Sequence, residues 1–161
     1  NKLFTFLMLP FIIKPTINWR LVMMAKNEHE VKNDLFGFGD KNVAFAKYFT
    51  GTSYLNGLVS LDDNIDVNVS NVNFEPGCRN NWHIHHDGFQ ILLVTAGEGW
   101  YQEEGKPAQL LKPGDVVAIH EGVKHWHGAT KDSWFSHVAI TKGTSEWCEE
   151  VDDATYNRLS D

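Results

Sequence analysis

The chain is short of several things, and each shortage removes a class of protein. It has only two cysteines, Cys78 and Cys148, and neither belongs to a CxxC pair. That excludes a disulfide scaffold and a zinc knuckle, and leaves two reduced thiols in a cytosolic protein as the plain reading. Basic charge is scarce: 14 Lys and Arg stand against 21 Asp and Glu, for a net charge of −7. Nucleic acid and anionic membranes are bound through clustered cations, so neither is an expected partner. No apolar run is long enough to cross a bilayer, which takes about 20 residues. The apolar stretch from Leu3 to Ile13 is broken by Thr5 and Pro10, and no small-x-small cleavage site follows it. Three readings of residues 1–24 stay open. They are a leader peptide, a segment ahead of a natural start at Met23 or Met24, or a retained extension packed on an edge strand or a subunit contact. Residues 25–161 form one domain, with no internal repeat and no linker.

What is present is mostly strand pattern. Apolar and polar residues alternate through Ile65–Val69 and Val72–Phe74, the mark of half-buried strands. Turn signals recur at the spacing of a sandwich or barrel, at Glu75-Pro76-Gly77, Glu103–Lys106, Lys112–Asp115 and Thr130–Ser133. Asp87-Gly88 reads as a further turn, with the apolar run Phe89–Thr95 as a buried returning strand. The stretches Gly99–Gln102 and Ala108–Leu111 form a hairpin, Val116–Ile119 a strand, and His125–Ala129 pairs with Trp134–Ile140. Only Asp152–Leu159 reads as helix, capped by Asp152 or Asp153. The expected class is all-β, a sandwich or barrel with a short C-terminal helix.

Histidine is the clustered residue: seven of the eight lie between His83 and His137. His83 and His85 are two apart and share one face of a strand. Gln90 returns beside them, and His125 opens a later strand. Three imidazoles and one amide oxygen inside a small barrel suit a divalent transition metal. A carboxylate would cancel one charge of that ion. With Gln90 in its place the ion binds less tightly and is a stronger Lewis acid, or the site is broken and holds no metal. His127 shares the face of His125, and a turn centred on Asp132 places His137 opposite His127. Facing imidazoles beside a cation disfavour protonation, so one stays neutral as a base near pH 7. The other reading of His127 is a hydrogen-bond partner to the ligands. By alternation Arg79 and Asn81 share the face of His83 and line the mouth of the pocket. Trp82, Trp100 and Trp126 read as packing, His86 and His120 as turn residues, and His29 has no assigned role.

These residues carry a pattern that resembles the cupin family. The first cupin motif is matched by Gly77, His83-Ile84-His85, Gln90 and Gly97, and the second by Gly114, His120-Glu121-Gly122 and His125. Gln90 replaces the motif acid, His120 its Pro and Ala129 its closing Asn. The resemblance implies a double-stranded β-helix, or jelly roll, with a motif core over 74–141 and a metal in the barrel mouth. The longer strings Phe74–Gly77, Thr95–Trp100, Pro113–Val117 and Lys124–Ala129 look like a bacterial subgroup that includes the cupin hydroxynitrile lyases. That likeness implies a manganese-type ion on His83, His85, Gln90 and His125, with His127 as base. Iron, nickel and zinc suit the same donors. It further implies a homodimer or larger assembly that cleaves a C–C bond in a small hydroxylated or carbonyl compound. A cupin dioxygenase and a non-catalytic small-molecule binder are the alternatives.

Overall fold

The computed structural model describes residues 28, 31, 35–62 and 64–160. The readings made for residues 1–24 and for His29 lie outside them. In chain order the strands are β1 (Asp40–Lys41), β2 (Phe49–Thr50), β3 (Ser53–Val59), β4 (Asn68–Phe74), β5 (Arg79–Asn80), β6 (His83–Gly97), β7 (Gly99–Glu103), β8 (Gln109–Leu111), β9 (Val116–Ile119), β10 (His125–Ala129) and β11 (Phe135–Trp147), followed by helix α1 (Asp153–Asn157). All pairings are antiparallel within one curled sheet, ordered β1-β3-β4-β11-β6-β10-β5-β2, with β9 on β6 and β7–β8 on β10. The curl makes the double-stranded β-helix expected of the sequence.

Alternation puts one face of each strand inside. Val72, Phe74, Leu92, Val94, Tyr101, Leu111, Ile119, Ala129, Phe135 and Ala139 form the main apolar core. A second cluster of Trp126, Val151 and Tyr156, with Trp82 and Trp100 packed against it, lies under the C-terminal tail. The three tryptophans of that cluster serve packing, as the sequence suggested. Asp152 caps α1 by accepting from the Thr155 N–H at 2.8 Å.

Two sequence expectations are corrected here. Asp87-Gly88 is not a reversal, because His83–Gly97 is one continuous strand. Phe89 pairs with Lys142 and His86 with Thr144, so Asp87 and Gly88 together face Gly143 alone. This is a β-bulge. Asp87 and Gly143 have positive φ, and a Cβ on Gly88 would lie 2.3 Å from the Lys142 carbonyl oxygen. The second correction concerns β10, which pairs with β5, β6 and β7 but not with β11. β11 lies between β4 and β6 instead.

Candidate metal centre and cavity

The bulge sets the donor group. His83 and His85 point inward at period two, and strict alternation would then send Gln90 outward. One extra residue at Asp87-Gly88 shifts the phase, so Gln90, Leu92 and Val94 are the buried residues that follow. Gln90 thereby rejoins the histidine face and lines the same cavity as His83 and His85. His125 arrives from β10 in direct register with His83. One ring nitrogen from each of His83, His85 and His125 lies within 4.8 Å of the others, and all three residues are buried.

The outer atoms of these side chains are all held. His83 Nδ1 donates to the Asn81 carbonyl at 3.0 Å, and His125 Nδ1 to the Val123 carbonyl at 2.9 Å. His85 Nδ1 meets the Ser145 hydroxyl at 3.2 Å, and the Gln90 amide N–H donates to the Thr141 hydroxyl at 3.1 Å. The contacts of His83, His125 and Gln90 leave a lone pair on the inner atom, and the Ser145 hydroxyl serves either tautomer of His85. Nε2 of His85, Nε2 of His125 and Oε1 of Gln90 are buried without a hydrogen-bond partner. Burial depresses the affinity of all three rings for protons, most strongly in His83, where His125 adds repulsion, and to a pKa of about 4 in His125. Neutral imidazoles with their far nitrogens anchored are what a divalent transition ion requires, so this donor set fits such an ion.

A cavity of about 230 Å³ opens beside the donors. That is smaller than the roughly 300–1,000 Å³ usual for drug-sized ligands, and it suits a small substrate. Its walls include Phe45, Phe49, Leu55, Val72, Phe74 and Trp147, and no Asp or Glu is among the described residues lining it. His127 and His137 line it too, with ring centroids 4.9 Å apart and planes nearly perpendicular. They meet across the interior rather than as neighbours in a hairpin, because their strands do not pair. Burial holds His127 well below the imidazole range, helped by its neighbour His137, and holds His137 at about 3.

Arg79 and Asn81 do not line this cavity. The strand β5 ends at Asn80, and Asn81-Trp82 breaks the alternation that the sequence reading extended back from His83. Arg79 instead binds the Val151 carbonyl through Nε at 3.1 Å and Nη2 at 2.9 Å, pairs with Asp153 and covers the Tyr156 ring. Asn81 donates to the Cys148 carbonyl. The residue that does face inward is Asn80, which the sequence reading passed over. Thr141, Ser145 and Trp147 were also missed, and for them the signal was present. With Gly143 they recur at strict period two on β11, because the extra residue of the bulge lies on β6. His86 bonds the Glu146 carboxylate on the outer face and His120 is exposed in a turn, so neither enters the site.

Comparison with known proteins places this architecture. Residues 70–140 match the model of the cupin domain. The chain is 43% identical over 117 residues to an (R)-mandelonitrile lyase of Granulicella tundricola, covering 70% of this chain and 88% of that protein. A crystal structure of a cupin-like protein from Thermotoga maritima is 43% identical, with a TM-score of 0.71, covering 78% of this chain and 96% of that one. A predicted oxalate decarboxylase from the same organism shares 20% identity at a TM-score of 0.59, covering 65% of this chain and 93% of that one, a likeness of fold alone. With four inward donors on a jelly roll and these relatives, the chain belongs to the cupin family.

Proposed function

We propose that the protein is a metal-dependent lyase that cleaves a small cyanohydrin into an aldehyde or ketone and cyanide, and catalyses the reverse addition. Manganese is the proposed ion, on His83, His85, Gln90 and His125. The observation that carries the reading is the pairing of two kinds of orphaned groups in one small cavity. Unpartnered metal donors stand beside two neutral imidazoles: His137, with neither ring nitrogen bonded, and His127, whose Nδ1 is unbonded. The 43% identity to an (R)-mandelonitrile lyase supports the choice of substrate class.

When bound, a divalent ion supplies Lewis acidity toward the substrate oxygen. The chain supplies the rest. The apolar walls hold the hydrocarbon part of the substrate and exclude water. Proton removal from the substrate hydroxyl falls to the buried imidazole pair, which burial keeps uncharged, so that each ring carries a lone pair. During cleavage one negative charge passes from the substrate oxygen to the departing cyanide. A donor set without a carboxylate leaves the ion its full charge to offset that.

The test is turnover of mandelonitrile and aliphatic cyanohydrins by manganese-loaded protein, in air and under nitrogen. Equal cyanide release in both atmospheres, lost after chelation, is expected. Strict dependence on oxygen would replace the lyase with a dioxygenase.

A further inference from the structure

Within the buried imidazole pair, the two rings are not equivalent. Asn80 Oδ1 accepts a hydrogen bond from the backbone N–H of His127 at 3.0 Å. That contact orients the amide, because its NH2 group cannot accept from an N–H. Asn80 Nδ2 is then the atom that faces His127 Nε2, at 3.0 Å. An amide nitrogen only donates, so Nε2 must carry the lone pair and Nδ1 the proton. Nδ1 is itself buried with no partner. A proton placed on Nε2 would meet the Asn80 N–H head on, and flipping the amide would forfeit the bond to the backbone. His137 is under no such constraint. Both of its nitrogens are buried and unpartnered, between Phe74, Phe135 and His127. Whichever tautomer it adopts, one lone pair is free.

We propose that Asn80 is a positioning residue that holds His127 as its Nδ1–H tautomer, so that His127 serves as hydrogen-bond donor and His137 as proton acceptor. The division of roles rests on the lyase reading; the tautomer rests on the hydrogen bonds alone. It moves the base from His127, where the family resemblance puts it, to His137. In cleavage, the free nitrogen of His137 takes the hydroxyl proton, the carbonyl forms, and the C–CN bond breaks with its electron pair leaving on cyanide. His137 then returns the proton to cyanide, giving HCN, while Nδ1–H of His127 donates to the developing anion.

The experiment is a long-range ¹⁵N–¹H correlation spectrum of the full chain with labelled histidine, metal-free and loaded with diamagnetic zinc. His127 is assigned by its loss in His127→Gln. The parent should show the Nδ1–H pattern at His127, and Asn80→Asp, whose carboxylate accepts from Nε2–H, should invert it. In the manganese enzyme Asn80→Asp should lower kcat roughly 100-fold or more at unchanged metal content. His127 found as Nε2–H in the parent overturns the proposal without any variant, and so does a pattern unchanged in Asn80→Asp. If the Nδ1–H pattern holds but no cyanohydrin is turned over, the lyase reading fails and the positioning role of Asn80 stands.

Discussion

Arg79 and Asn80 are neighbours on one short strand, and both are buried. On the Arg79 side the guanidinium is fully answered: two bonds to the Val151 carbonyl, a carboxylate from Asp153 and the face of Tyr156. On the Asn80 side the polar groups outnumber their partners. His85, Gln90, His125, His127 and His137 each leave at least one atom buried and unbonded. Burying a polar atom without a partner costs on the order of 1–3 kcal/mol, so such a concentration is not retained for stability. The satisfied region ties the C-terminal tail to the barrel. The unsatisfied region holds the three histidines positioned to bind a metal ion and the walls of the cavity.

Substitutions can break this contrast from either side. The largest effect is expected from His125→Ala, which removes one donor and should weaken metal retention about a hundredfold or more. Elemental analysis after desalting reads it, with the fold checked by circular dichroism. Acid should act next, through the whole cluster. In the metal-free folded protein His125 and His137 titrate at about 4 and about 3, and the other rings are also lowered. The unfolded chain titrates near 6.5. Between these values the unfolded state binds more protons, so the stability present above about pH 6.5 is lost as pH falls toward 4. Thermal melts of chelator-treated protein at pH 7.5 and pH 5 should show the lower midpoint at pH 5.

Arg79→Met attacks the satisfied side. It leaves the Val151 carbonyl without its donor and should cost about 1–3 kcal/mol in urea unfolding, with metal affinity untouched. Gln90→Glu adds a charged ligand and should tighten metal binding by about tenfold in a competition titration. The smallest change in stability belongs to His137→Phe. Replacing an unbonded buried ring by an apolar one should leave the protein as stable, or up to about 1 kcal/mol more stable, while turnover is lost. A large destabilisation would show that His137 is a structural residue like Arg79.

The same contrast explains what could be read from the chain. The strands Val116–Ile119 and His125–Ala129 were legible to the residue, because alternation and turn chemistry agree there. So was the convergence of His83, His85 and His125, since the two-residue spacing of the first pair on a strand survives almost any tertiary context. The route to Gln90 was misread, because a bulge and a turn use the same Asp-Gly signal and only the pairing partner separates them. Arg79 and Asn81 were misplaced for a related reason: Asn81-Trp82 leaves the sheet, and a break of two residues has no mark in a polar string. Asn80 was invisible. Its importance comes from a backbone N–H and a ring nitrogen 47 residues away, and no local pattern encodes that.

The proposed metal site rests on the orphaned donors of the barrel. Its most direct test is the metal content of the full chain after exposure to manganese and desalting, measured beside His83→Ala. One ion per chain in the parent and essentially none in the variant is the predicted result. A folded parent that emerges free of manganese, iron, nickel and zinc alike would contradict it.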